Sequence, residues 1–379
     1  MMGHWNIFRH LLGPGLWAGL WLVWIRMAFV SPAQSPLASL LAMLLPLGLG
    51  FGLLCWVYAL FRRRSLAWLW LLVLLSGWGF WRALLPFPFL RVSAPEGAIS
   101  FRVLSYNVHV FNVYPHLQTQ KPGTTRQMLA WLSQHPAEIV CLQEYYHLES
   151  VDSLATIYPL AVRRAYSFQT TRSSPITRPE GYFGLVILSR FPMLKSGDFP
   201  LQKQWFQRGV YADLLIGHDT LRVINVHLQS LAIDPHSVLR QETTWNNFYA
   251  KWRDLLRVIQ RGNQNRASQI GYLKDFVAQS PHPVLITGDF NDLPWTYPYQ
   301  TLRQTLYNAY ENAGNSTGFT FRNGIPFLRI DHQFYDSQLA CTKFKTYHDI
   351  SFSDHSPIEG TYFFLPNALR IGFPSPEGH

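Results

Sequence analysis

Val284-Leu285-Ile286-Thr287-Gly288-Asp289-Phe290-Asn291-Asp292-Leu293-Pro294-Trp295 is the run on which the reading of this chain turns. Its apolar, β-branched opening predicts a strand over residues 283–287, closed by a glycine. Beyond the glycine, Asp289 and Asn291 stand two apart. An extended chain points such residues to one face, because the strand period is two. Taken alone, an aspartate after a glycine is more often a turn residue than a chemical group. The same arrangement, however, recurs along the chain.

Further strands are expected at 101–106, 138–142, 184–188, 221–226, 330–335 and 358–364. Polar residues sit where they end. Asn107 follows the first, Glu144 the second, and His227 closes the strand at 221–226. Asp331 opens the next, and Ser353-Asp354-His355-Ser356-Pro357 precedes the last. Carboxylates, amides and imidazoles at neighbouring strand ends converge on one edge of a sheet, where ligands bind. Glu144, Asp289, Asp331 and Asp354, with two asparagines and no cysteine cluster, make an oxygen-rich set. That set suits a hard cation such as Mg²⁺, with Mn²⁺ as the alternative. Asp331 and His355 can pair, fixing the imidazole tautomer and leaving its other nitrogen to activate water. A metal, an activated water and a second imidazole at His227 together suit hydrolysis of a phosphate ester.

Helical periodicity appears at 125–134, 245–260 and 267–279, with a break expected at 262–266. The Thr-, Ser-, Pro- and Arg-rich stretch 167–181 reads as an irregular loop. Many strands with few helices imply two packed sheets flanked by helices. Lys251, Arg253, Arg257, Arg261 and Arg266 form a basic stretch interleaved with Trp252, Leu255, Leu256, Val258 and Ile259. It reads either as a polyanion contact or as a solvated helix face over a core stripe.

The first ninety residues have a different character. Of the 379 residues, the 99 at the N-terminus carry seven of the 32 basic groups and one of the 22 acidic ones, Glu96. The formal charge of +10 therefore lies disproportionately in this part and is a weak guide to a nucleic-acid partner. Nine of the 14 tryptophans fall here too, with Trp5, Trp17, Trp78 and Trp81 suited to interfacial belts. Apolar runs at 11–30, 37–61 and 65–81 predict about three transmembrane helices. A cleaved signal peptide would account for one run, not three. Arg62-Arg63-Arg64 should stay cytoplasmic, which puts the chain after residue 90 on the outer, periplasmic side of a bacterial inner membrane; Arg82 and Arg91 argue mildly against this. The three cysteines, Cys55, Cys141 and Cys341, are too scattered for a disulfide framework or a zinc site.

In its ordered motifs the chain resembles the endonuclease/exonuclease/phosphatase superfamily, with its deoxyribonuclease I-like fold. The likeness runs through Ser105-Tyr106-Asn107, Leu142-Gln143-Glu144, Ile187-Leu188-Ser189-Arg190-Phe191-Pro192, Asn225-Val226-His227, Gly288-Asp289-Phe290-Asn291, Arg329-Ile330-Asp331 and Ser353-Asp354-His355. It implies a four-layer α/β/β/α sandwich of two mostly antiparallel sheets, preceded here by the membrane segment. The units expected are a membrane domain at 1–91, a linker at 92–100, a catalytic domain at 101–366 and a tail at 367–379. The resemblance makes Glu144 the principal metal ligand, with Asn107 and Asp354 completing the metal site. It gives Asp289 and Asn291 the water and the phosphoryl group, and His355, oriented by Asp331, the phosphate. His227 matches a second histidine of the deoxyribonuclease, sphingomyelinase and inositol-phosphatase branches. Arg208 resembles a phosphate-contacting arginine.

Departures narrow the substrate in part. The abasic-site endonuclease branch usually lacks the histidine of Asn-x-His-Leu, and the inositol 5-phosphatase pattern differs around Leu328-Arg329-Ile330-Asp331. His332 stands where many relatives carry an aromatic. The expected function is a membrane-anchored, Mg²⁺-dependent phosphoester hydrolase, nuclease-like in its action on a phosphodiester. A lipid phosphodiesterase or phosphatase is the alternative, and no obligate protein partner is evident. A catalytically dead binding module would have lost a metal or base residue, and Glu144, Asp289, Asn291 and His355 are all present.

Overall fold

The computed structural model describes residues 2–62, 64–86, 92–113, 123–148, 168–173, 181–202, 208–231, 245–323 and 327–366. Two six-stranded mixed sheets organise the part after residue 100. The first contains β1 (Phe101–Asn107), β2 (Ile139–Leu148), β3 (Phe168–Ser173), β4 (Gly181–Ser189), β11 (Leu339–Thr346) and β12 (Ile358–Phe364), in the order β11-β12-β1-β2-β4-β3. The second runs β5-β6-β7-β8-β10-β9, from β5 (Met193–Pro200), β6 (Arg208–Ile216), β7 (Asp219–His227), β8 (Val284–Asp289), β9 (Tyr307–Asn308) and β10 (Asp331–Tyr335). Each sheet has one parallel pair, β1 with β2 and β7 with β8, and is otherwise antiparallel.

Burial on both faces explains the unbroken apolar runs of the central strands. Val103, Ile139 and Ile187 meet Val210, Val223 and Leu285 in the core between the sheets. Their chain neighbours point the other way. Leu104, Val140 and Leu188 pack under Met128, Leu129 and Leu132 of α6 (Thr124–Gln134). Ile224, Ile286 and Phe334 pack under Ile270 and Leu273 of α7 (Trp245–Ala278) and Tyr299 and Leu302 of α8 (Tyr297–Arg303). A short α9 (Ala309–Ala313) adjoins the second sheet. The expected order of helix, sheet, sheet, helix is present.

Two local expectations fail. The break at 262–266 is absent, and α7 runs continuously for 34 residues. The residues that read as a break are held by tertiary partners. Asn263 donates to Ser39 Oγ at 3.1 Å, and Arg266 is paired with Asp292. Gly262 marks a close approach, since a Cβ there would lie 2.3 Å from Leu231. Part of the expected loop 167–181 is strand β3, while 174–180 lies outside the described residues.

The N-terminal helices are α1 (Met2–Met27), α2 (Pro36–Met43), α3 (Leu45–Arg62), α4 (Arg64–Ser76) and α5 (Trp78–Leu84). They are not three straight spans. Among the described residues α3 is the one straight helix long and apolar enough to cross a bilayer, and the bent pair α4–α5 makes a second if it counts as one span. The second apolar run breaks between α2 and α3. The third bends by 65° at Gly77, between α4 and α5. At 13 residues α4 rises about 20 Å, short of a hydrocarbon core of about 30 Å.

These helices are not detached from the sandwich. Trp295, at the end of the quoted run, joins the cluster built from Trp21, Leu45, Leu49 and Phe80. Its indole donates to Met43 O at 3.1 Å. Arg329 donates to Ala83 O, Tyr310 OH to Leu84 O at 3.3 Å, and Arg82 to Asn312 Oδ1 at 2.6 Å.

Candidate active site

Strand register assembles the site. His227 is paired across β7 and β8 with Asp289, and Asp289 across β8 and β10 with Asp331. Three chemically active residues therefore form one row along adjacent strand ends. Gly288 lets β8 approach β7 closely just before Asp289. Its φ is 142°, and a Cβ there would lie 2.0 Å from Val226 O.

The first sheet supplies the facing groups. Asn107 ends β1, and Glu144 stands at a register shift in the β2–β4 pairing with a left-handed φ of 51°. A bulge of this kind re-aims a side chain, and its backbone strain is characteristic of functional positions. Asn107 joins the sheets, donating to Glu144 Oε1 at 3.2 Å and to Asp289 Oδ2 at 3.1 Å. Asn291 also has a positive φ, 50°. Its amide N–H donates to Asp289 Oδ1 at 2.8 Å and its side chain to Leu228 O at 3.1 Å. These bonds hold the Asp289–Asn291 turn in shape.

His355 completes the group. Its Nδ1 lies 2.9 Å from Asp331 Oδ2, and its Nε2 lies 3.7 Å from Asp289 Oδ2. His227 Nε2 lies 3.5 Å from the same Asp289 oxygen and 3.9 Å from Glu144 Oε1. Burial opposes a charge on His355, but Asp331 and Asp289 beside it outweigh this and hold its pKa well above the ordinary value. Burial pushes the Asp289 carboxyl upward, against the pull of His355. The Phe321 ring packs edge-on to His355 at 5.3 Å and shields it from one side.

Asp289, Asp331 and His355 have atoms within one ion's reach of each other. In geometry, though, His355 and Asp331 are a hydrogen-bonded pair, which occupies the atoms a cation would take. The oxygen donor that suits a hard cation is Glu144, with Asn107 between it and Asp289. Glu144 and Asp289 are both carboxylates with no thiolate nearby. Asp354 is less central. Its carboxylate meets Ser353 Oγ at 3.1 Å and His109 Nδ1 at 3.9 Å, while Ser353 Oγ donates to Asn107 O at 2.8 Å and ties this loop to the end of β1. Arg208 opens β6, but its side chain lies outside the described residues.

Several positioning residues were not singled out from the sequence. Beneath the site, buried Gln143 donates to Asn225 Oδ1 at 2.7 Å and to Ser105 Oγ at 3.1 Å. Asn225 in turn donates to the carbonyls of Leu142 and Val186, bolting one sheet to the other directly under the catalytic edge. The signal was present, since each polar residue interrupts an apolar strand. His109 to Asn112 all have φ near 50°, a left-handed turn that carries His109 beside Asp354. His332 is a structural residue. It is buried, its Nε2 donates to Asp292 O at 3.1 Å, and it fills an aromatic slot among Phe290, Tyr299 and Phe334. Burial, with Arg329 nearby, holds it neutral.

Arg266 does not belong to a basic patch. It is 1% exposed, donates to Asp292 Oδ2 at 2.8 Å and to Gln229 O at 3.0 Å, and so braces the two loops that leave β7 and β8.

A family model described as "Endonuclease/Exonuclease/phosphatase family" matches residues 104–355. A second, "Domain of unknown function (DUF8431)", matches residues 10–84. No curated protein matches the chain. Among solved structures, an endonuclease/exonuclease/phosphatase family protein from Bacteroides thetaiotaomicron is similar at 16% identity and a TM-score of 0.51. That match covers 71% of this chain and 99% of the other. The endonuclease/exonuclease/phosphatase from Beutenbergia cavernae gives 14% identity, a TM-score of 0.49, and 70% and 72% coverage. The human Nocturnin catalytic domain with bound sulfate gives 17%, 0.48, and 74% and 99%.

Proposed function

The chain belongs to the endonuclease/exonuclease/phosphatase family, and from that premise we propose that it is a Mg²⁺-dependent phosphodiesterase held at a membrane by its N-terminal helices. Members of this family generally hydrolyse phosphoesters and typically need a divalent metal. The observation that carries the reading is the convergence on Asp289 of Asn107, His355 and His227, with the Asp331–His355 pair at 2.9 Å.

Glu144 and Asn107, with Asp354 on the neighbouring loop, would hold the cation. Bound there, it would polarise a phosphoryl oxygen and offset charge developing on it. Asp289, braced by Asn291, holds the attacking water and takes its proton as oxygen bonds to phosphorus. His355, kept charged by Asp331, donates to a phosphoryl oxygen. His227 lies within reach of Asp289 and Glu144 and returns a proton to the departing oxygen as the ester P–O bond breaks. Arg208 is the further candidate for a phosphate contact.

Membrane anchoring is supported by large apolar side chains left on the outside of the N-terminal helices, including Leu47, Leu54, Phe61, Trp68 and Leu72. The α3 helix begins next to Met43, whose carbonyl accepts from Trp295, and ends at Arg62. With Arg62 to Arg64 on the cytoplasmic side, the catalytic unit faces the periplasm. The units at 1–91, 92–100, 101–366 and 367–379 follow from this reading.

A nucleic-acid phosphodiester is the first substrate class. A lipid head-group phosphodiester is the second, favoured by the seating of the catalytic run on the N-terminal helices through Trp295. The test uses the full chain in nanodiscs with Mg²⁺ or with chelator, and His355→Ala as the blank. Plasmid DNA, single-stranded RNA, mixed phospholipid vesicles and a chromogenic phosphodiester are assayed side by side. Metal- and His355-dependent cleavage is expected. A folded protein that cleaves none of the four, or cleaves equally without metal and His355, overturns the proposal.

A further inference from the structure

Two of the N-terminal helices end where the catalytic unit touches them. The α2 helix stops at Met43, whose carbonyl accepts from the Trp295 indole at 3.1 Å. The α5 helix stops at Leu84, where Arg329 donates to Ala83 O and Tyr310 OH to Leu84 O at 3.3 Å. The last carbonyls of a helix have no partner inside it, so both ends are completed by side chains of the sandwich. Two of those donors stand close to the chemistry along the chain. Trp295 lies four residues after Asn291, and Arg329 two before Asp331. Asp289 and Asp331 are themselves paired across β8 and β10.

A second connection runs through side chains alone. Ser39, on α2, accepts from Asn263 Nδ2 at 3.1 Å. Asn263 Oδ1 accepts from Arg266 Nη2 at 2.5 Å, and Arg266 Nε donates to Asp292 Oδ2 at 2.8 Å. Asp292 adjoins Asn291, whose amide donates to Asp289 Oδ1 at 2.8 Å. None of Ser39, Asn263, Arg266 and Asp292 is more than 5% exposed, so water does not compete for these bonds. Arg266 is fixed again by Gln229 O at 3.0 Å, so a displacement at Ser39 is carried to the turn rather than absorbed by a swinging side chain. The matched family region begins at residue 104, so α2 and α5 lie outside it.

We propose that α2 and α5 are part of the catalytic apparatus: they set the geometry of the Asp289–Asn291 turn and of Asp331, with Ser39, Asn263 and Trp295 as positioning residues for phosphodiester cleavage. The inference rests on the phosphodiesterase reading and is independent of membrane anchoring.

The experiment uses the full chain in mild detergent with Mg²⁺, assayed on plasmid DNA, single-stranded RNA, mixed phospholipid vesicles and the chromogenic phosphodiester. Ser39→Ala is compared with Ser76→Ala, because the two serines are matched. Each donates to a carbonyl three residues back at 2.7 Å, and each accepts from a side chain, Asn263 Nδ2 at 3.1 Å or Trp21 Nε1 at 3.2 Å. The Ser39 chain leads to the catalytic turn, whereas the Ser76 bonds stay within the N-terminal helices. Both substitutions should lower the melting temperature by a similar amount. Ser39→Ala alone should lower kcat about tenfold with KM unchanged, a part of the ~10²-fold loss that a misplacement of about 1 Å brings. It should also speed amide hydrogen exchange over residues 289–294, read by mass spectrometry. Trp295→Phe, which keeps a ring and removes the N–H donor, should act in the same way. Ser39→Ala combined with Asn263→Ala should lose no more kcat than Asn263→Ala alone, since both break one chain. Equal kcat and equal exchange in Ser39→Ala and Ser76→Ala overturn this proposal and leave the phosphodiesterase reading standing, as does an additive loss in the double variant. No cleavage of any of the four substrates by the unsubstituted chain overturns that reading and this proposal with it.

Discussion

Asp331 does two things for His355, and a single substitution separates them. It fixes the imidazole through Nδ1 at 2.9 Å, and its charge keeps the ring protonated well above its ordinary range. Asp331→Asn keeps the shape and removes the charge. The turnover number should fall about 10²–10⁴-fold, the usual worth of a positioned acid or base. Because the raised pKa comes down, the alkaline limb of the pH–rate profile should move to lower pH. A limb that stays in place would show that His355 is not the group titrating there. Most of these residues were legible because a charged side chain ending an apolar strand is conspicuous. Glu144 was legible as a residue but not as a conformation, since its left-handed φ depends on the register shift against β4.

At the scale of elements, α7 and the turn after β8 form one mechanical unit. Asp292 accepts from Arg266, from Leu293 N and from Thr296 Oγ1, and its carbonyl accepts from His332. Replacing Arg266 with Met leaves a buried carboxylate unpaired, which should cost about 3–5 kcal/mol. The melting temperature and the rate should both drop. Adding Asp292→Leu should recover much of the stability but not the rate, because the loop would lose its brace. Equal recovery of both would mean that the pair only supports the fold. The strands missed from sequence share a physical cause. β3, β5, β9 and β11 are the four sheet edges, and an edge strand lacks the two-sided burial that writes an apolar run into a central strand. β6 is the exception. It is central, but it carries Asp213 inside, paired with Arg222 at 2.7 Å, and this masks its pattern.

At the scale of the whole molecule, the N-terminal helices and the sandwich share a packed junction. Trp295, Arg329, Tyr310, Arg82 and Asn263 all reach across it. Cutting the chain at a protease site inserted near Gly97, in the exposed link, should therefore leave the two pieces associated in mild detergent. Gel filtration should recover them in one peak, and Trp295→Ala should weaken the association. Separate peaks for the unsubstituted protein would show that the junction adds little to what the covalent link provides.

Strand ends, their order and the chemistry at each were legible in local sequence, because apolar periodicity and a polar residue at its end are properties of a few adjacent positions. The family likeness followed from the order of those ends. The continuity of α7, the bends in the N-terminal helices and the burial of Arg266 were not legible. Each depends on a partner tens or hundreds of residues away: Ser39 for Asn263, Met43 for Trp295, Asp292 for Arg266. A basic residue reads the same in sequence whether it faces water or a buried carboxylate, and only folding brings the carboxylate to it.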